Sequence, residues 1–171
     1  MADEAARSIS FTMTLARRHF LVTSAAFLAA GPALAADKDF AGSPFRRIGN
    51  AEWRKRLSPA AYDVLRRQGT ERPGTSPLDK EHRKGTFICA ACSLPLFRSE
   101  WKFNSGTGWP SFFTVIEKNI GKSRDIGLGM IRTEYHCARC LGHQGHLFDD
   151  GPRPTGLRYC NNGVALKFLP A

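Results

Sequence analysis

At 171 residues the chain has room for one domain plus a short extra segment, and its 42% apolar and 11% aromatic residues supply a real core, which excludes a disordered chain. The formal net charge is +10, but the basic residues are scattered and no run exceeds three. That pattern reads as a solvated basic surface rather than a stripe for a polyanion, so no nucleic-acid partner is expected.

Residues 1–35 read as an export segment. Arg17-Arg18 stand before His19-Phe20-Leu21, similar to the RRxFL twin-arginine signal that routes folded proteins across the bacterial inner membrane. The apolar stretch from Phe20 to Ala30 falls short of the roughly 20 residues that span a bilayer. Ala33-Leu34-Ala35 then gives a small-x-small cleavage signature. Cleavage after Ala35 is expected, leaving a periplasmic chain with all five cysteines and no stable membrane anchor. A buried helix and an uncleaved anchor are the competing readings of this segment. Residues 1–12 add nothing to the signal, so Met13 is an alternative start.

Residues 36–49 read as a flexible lead-in to a domain over 50–171. Asn50 is the expected N-cap of a helix that puts Trp53 and Leu57 on one face. Ser58-Pro59 opens a second helix, with Tyr62 and Leu65 on its buried side and Gly69 ending it. The turn-rich stretch 70–85 is expected to wrap the surface. From Thr86 on the helical period disappears. The runs TFIC, FFTVIE, GMIRTEYHC, HLFDD and VALKFL read as strands split by glycine, proline and asparagine. The expected fold is mainly β or α+β, with short N-terminal helices packed on antiparallel sheets.

Cys89-Ala-Ala-Cys92 and Cys137-Ala-Arg-Cys140 form two CxxC pairs. Each turn aims two sulfurs at one centre, and two turns complete an S₄ shell for one structural Zn²⁺, with iron as the second choice. The gap between the pairs exceeds the 15–20 residues of a compact zinc ribbon, so the knuckles are expected to clip distant parts of one domain. Two disulfides, or a redox-active CxxC, are the alternatives. A folded-state export route favours zinc, because the metal is loaded before oxidising enzymes are met.

Cys160 is left over. A free cysteine is usually a small buried hydrophobe. Arg158, Tyr159, Asn161 and Asn162 are poor core company, however, and suggest an exposed thiol of lowered pKa. Upstream, His143 and His146 lie three apart and can supply a general acid or orient a water. A zinc role for them is the lesser alternative. In SGTGWPSF, residues 105–112, glycines let backbone approach a ligand and Trp109 can form an apolar wall, or sit as a core tryptophan in a tight turn. Together these residues limit the chemistry to a nucleophilic thiol acting on a small polar group flanked by something apolar. A zinc-ribbon module binding nucleic acid and a disulfide oxidoreductase are the rivals.

The segments TERPGTSPLDKEHRKGTFICAACSLPLF, KFNSGTGWPSFF and CARCLGHQGHLFDDGPRPTGLRYCNNGVALKF resemble the methionine sulfoxide reductase B family, from about Trp53 to Phe168. The resemblance implies two antiparallel β-sheets with N-terminal helices, and reduction of the R epimer of methionine sulfoxide in proteins and peptides. It implies Cys160 as nucleophile and Cys89, Cys92, Cys137 and Cys140 as zinc ligands. Trp109 would pack on the substrate methyl group. His143, His146 and Asn162 would hydrogen-bond the sulfoxide oxygen, with His143 favoured as proton donor. Many members carry SGCGWPSF, whose cysteine resolves the sulfenic acid; here that position is Thr107. A one-cysteine cycle is therefore expected, restored by an external, thioredoxin-like thiol reductant acting on a monomer. Asn161 and Gly163 also stand where the family leads one to expect other residues, which leaves fine substrate preference open.

Overall fold

The computed structural model describes residues 38–126 and 129–171, so the export segment read in 1–35 lies outside them. After a 3-10 turn at Pro44–Arg47 come two short α-helices, α1 (Asn50–Arg56) and α2 (Pro59–Arg67). Asn50, expected as a cap, is already inside α1. Ser58 caps α2 by accepting a hydrogen bond from the Ala61 amide at 3.2 Å, with Pro59 in the first turn. The helix ends one residue earlier than the glycine suggested, at Gln68 in the left-handed region (φ 58°). Trp53 of α1 and Ala61, Tyr62, Val64 and Leu65 of α2 are buried.

Among the described residues, nine antiparallel strands follow in two sheets. The strands are β1 (Gly85–Cys89), β2 (Pro95–Arg98), β3 (Lys102–Phe103), β4 (Ser111–Phe112), β5 (Ile120–Asp125), β6 (Arg132–Cys137), β7 (His143–Phe148), β8 (Arg158–Asn161) and β9 (Leu166–Pro170). The small sheet has the order β2-β1-β9 and the large one β3-β4-β8-β7-β6-β5. The sheets meet through aromatic rings. Phe97 of β2 stacks on Phe112 of β4 at 4.0 Å between centroids, and meets Tyr135 of β6 and Tyr159 of β8 edge-on. These rings occupy one face of the large sheet, and its other face carries the polar residues described below. The fold is therefore mainly β, two antiparallel sheets with short N-terminal helices.

Two local readings differ from the structure. FFTVIE is a strand only at Phe112; the chain then crosses between sheets, with the Ile116 amide donating to Leu96 O at 2.9 Å and Val115 buried. Conversely, IGKSRD forms the edge strand β5. An edge strand whose side chains border a polar face shows no apolar alternation to detect.

Candidate active site

Cross-strand register builds the site. Ser111 pairs with Cys160, Cys160 with His146, His146 with Glu134, and Glu134 with Ser123. Directly paired residues share a face, so β4, β8, β7, β6 and β5 contribute one row of polar side chains. His143 joins this face through a bulge. Three residues apart on a regular strand, His143 and His146 would point to opposite sides. Here Tyr135 pairs with Gly145 and His136 with His143, which leaves Gln144 as the extra residue. The two imidazoles consequently stand 5.3 Å apart.

Carboxylates fix both rings. Glu134 Oε1 accepts from His143 Nδ1 at 2.9 Å, and its other oxygen engages His136 at 3.0 Å and Ser123 at 2.7 Å. Burial pushes the Glu134 carboxyl up, but the bonds from His136, His143 and Ser123 outweigh it and hold the group at about 2. With Nδ1 committed, buried Nε2 of His143 has no hydrogen-bond partner among the described residues and is the nitrogen available to a ligand. Asp125 accepts from His146 Nε2 at 2.7 Å and from Arg132 at 2.6 Å. Burial holds the His146 ring below the usual imidazole value, with the Asp125 bond opposing it.

Cys160 and His146 line a pocket of about 120 Å³ together with Trp109, Phe148, Arg132 and Asn162. Trp109 and Phe148 supply the apolar walls. Trp109 is held by its indole N–H, which donates to Glu71 O at 3.1 Å. The Glu71 carboxylate accepts from the amides of Gly163 and Val164, and its own amide donates to Asn162 Oδ1 at 3.0 Å. Asn162 Nδ2 donates to Gln144 O at 3.0 Å, so both polar ends of Asn162 are engaged with the protein. Glycine is required at 145: a Cβ there would lie 1.9 Å from Cys160 O. His143 lines the adjoining polar cavity, behind His146.

The neighbours of Cys160 do not expose it. Tyr159, Asn161, Asn162 and Arg158 are all buried, because each is paired. Tyr159 donates to Glu117, Asn161 accepts from Tyr135, and Arg158 forms two bonds with Asp150 at 2.7 and 2.8 Å. The thiol is half-buried, and burial pushes it above the ordinary range. The charge of Arg158 and hydrogen bonds from Thr107 and Arg158 pull it back only in part. The lowered thiol expected from the sequence is thus overturned for the free protein, since the guanidinium is already shared with Asp150.

The four remaining cysteines converge. Cys89 closes β1 and Cys137 closes β6, so their knuckles tie the two sheets together. In both, the residue after the second cysteine, Ser93 or Leu141, takes positive φ and donates back to the first cysteine's carbonyl. All four sulfurs lie within 4.8 Å of one another, with Cys92–Cys137 at 3.4 Å and Cys89–Cys140 at 3.7 Å. Zinc–sulfur bonds of about 2.3 Å in a tetrahedron place sulfurs about 3.8 Å apart, so the set fits zinc. Arg66 donates to Cys140 Sγ at 3.6 Å and stacks over Trp53, and Gln144 donates to Cys89 Sγ at 3.6 Å. Donors aimed at sulfur suit thiolates bound to a cation.

Glu134, Asp125, Glu71 and Phe148 were not singled out from the sequence. Only Glu134 left a trace there, a lone carboxylate amid the apolar alternation of GMIRTEYHC.

Comparison with known proteins agrees with this site. Residues 57–170 match the SelR domain family. A protein of Pseudomonas putida is 55% identical over 120 residues, covering 70% of this chain and 90% of its own length. One of Bradyrhizobium diazoefficiens is 53% identical over 120 residues, covering 70% and 86%. One of Agrobacterium fabrum is 50% identical over 129 residues, covering 75% and 96%. Each is called peptide methionine sulfoxide reductase MsrB. With a domain match across most of its length and identities of 50–55% over the aligned 70–75% of the chain, it belongs to the SelR, or methionine sulfoxide reductase B, family.

Proposed function

We propose that the chain reduces the R epimer of methionine sulfoxide in proteins and peptides, through a Cys160 sulfenic acid that an external thiol restores. The observation that carries this reading is the placement of Cys160 beside His146 in a pocket walled by Trp109 and Phe148. The walls suit the methyl and methylene groups of the side chain, and the histidine face suits the oxygen. Oxygen donors on one side and an apolar wall on the other give a chiral sulfur one productive orientation.

The Cys160 sulfur attacks the sulfoxide sulfur while the oxygen is protonated from the histidine face. His146, directly opposite Cys160, is the nearer ring, with His143 and Glu134 behind it. The S–O bond breaks, methionine leaves, and oxygen and thiol hydrogen end on Cys160 as the sulfenic acid. Because burial keeps the free thiol protonated, the histidine pair must take its proton as substrate seats. Thr107 faces the sulfur with a hydroxyl, and the other cysteines are gathered in the metal set, so no internal thiol resolves the intermediate. One external thiol then forms a mixed disulfide with release of water, and a second regenerates Cys160. Zinc, bound by Cys89, Cys92, Cys137 and Cys140, supplies a structural clip. We place this activity in the periplasm on the strength of the twin-arginine pattern in residues 1–35.

An epimer-resolved assay with a dithiol reductant tests this. Cys160→Ser should abolish turnover with zinc content and circular dichroism unchanged. Without reductant, mass spectrometry should find sulfenic acid at Cys160. Residual turnover in the serine variant, equal use of the S epimer, or an intramolecular disulfide sinks the reading.

A further inference from the structure

Gln144, the extra residue of the β7 bulge, touches both sulfur sites. Its main chain lies between the two histidines, and its carbonyl accepts from Asn162 twice, from the backbone amide at 2.9 Å and from Nδ2 at 3.0 Å. The bulge turns its side chain off the histidine face and into the metal centre. There Nε2 stands 3.6 Å from Cys89 Sγ and 3.4 Å from Gly142 O. The residue is fully buried, yet its Oε1 has no hydrogen-bond partner among the described residues. A buried amide with half its capacity unmet is a poor packing solution, and an apolar side chain of the same length would fill the space without that loss. The position is therefore not explained by stability. What the amide supplies, and an apolar group cannot, is an N–H for the thiolate of Cys89.

We propose that Gln144 is a positioning residue that joins the metal clip to the histidine bulge. A donor to a metal-bound thiolate withdraws electron density from sulfur, which slows its attack by oxidants and its loss from the metal. Through the same residue the position of Cys89 sets the bulge, and the bulge sets where His143 and Asn162 stand. The second half rests on the reductase reading above; the first half does not.

The zinc-loaded full chain carries the test. Zinc release into a chromophoric chelator under peroxide is timed for the unaltered protein, Gln144→Leu and Gln144→Glu. Loss of one such bond should speed release about fivefold in Gln144→Leu. Gln144→Glu should release faster still, because it adds negative charge beside thiolates. Equal release in all three overturns the sulfur bond. In fully zinc-loaded Gln144→Leu, kcat should fall several-fold with KM unchanged, and an unchanged kcat overturns the coupling. If the unaltered chain proves inactive on methionine sulfoxide, the reductase reading fails while the release experiment still decides the sulfur bond. Should neither variant fold, the unaltered chain loaded with an NMR-active cadmium isotope replaces them. A scalar coupling from cadmium to the Gln144 side-chain amide protons is expected through the N–H···S bond, and its absence overturns the proposal.

Discussion

Strand β7 begins three residues after Cys140 and faces Cys160 at His146, so two sulfur environments sit within a few residues of one another. At the metal centre, four sulfurs lie together and cationic or amide donors from α2 and the bulge point at them. Four thiolates at this spacing need a cation. At Cys160 a single sulfur meets a pocket, and its nearest positive charge is bound to Asp150. The clustered sulfurs are surrounded by donors; the pocket sulfur is set chiefly by burial, which holds it above the ordinary thiol range.

The largest test of this contrast is at the clip. Structural zinc sites supply on the order of 10 kcal/mol of folding free energy, so Cys140→Ala should lose zinc and its cooperative thermal transition. A chelator should do the same to the unaltered chain. A melt as sharp as that of Cys160→Ser would break the distinction between the two sites.

Glu134 gives the next effect. Its folded value of about 2 lies below the unfolded carboxylate value of about 4.3. The stability it contributes is thus present above the unfolded value and is lost as pH falls through the folded one, on the order of 2–3 kcal/mol between about pH 5 and pH 2. Glu134→Gln should remove that contribution at neutral pH, flatten the acid limb in denaturant titrations, and lower kcat at least tenfold. An unchanged acid limb would show that the histidines do not depend on this carboxylate.

The smallest effect sharpens the Cys160 side. Arg158→Met removes the charge that partly offsets burial, so the thiol should move further up. Alkylation at neutral pH should slow by a factor of a few, read from the pH profile of carboxamidomethylation. No change would mean that Asp150 absorbs the whole influence of the guanidinium.

The pocket position of Cys160 and Trp109 and the four-sulfur set were legible because cysteine pairs and Gly-Trp-Pro turns mark themselves in local spacing. The histidine pair was legible as a pair, but not its geometry. Spacing of three on a strand argues against a shared face, and only the unpaired Gln144 reverses that. Glu134, Asp125 and Glu71 act across the sheet or between loops, on partners 9, 21 and 38 residues away in sequence. No local pattern marks such pairings. The thiol's protonation was misread for a related reason: Arg158 next to Cys160 in sequence looks like an activating charge, and its partner Asp150 becomes visible only when the strands pair.

The polar row also has an order in time. Ribosomal synthesis delivers Ser111, Ser123, Glu134 and His146 before Cys160, yet β8 must enter the middle of the large sheet, between β4 and β7. Until it does, β4 and the β5-β6-β7 meander are separate pieces that share no hydrogen bonds within the sheet. The pairing of β8 with β7 is local, whereas its pairing with β4 is long-range in sequence and so the slower of the two. The thiol therefore meets His146 by closure of the β7-β8 pair, and meets Ser111 of β4 only when β8 unites the sheet.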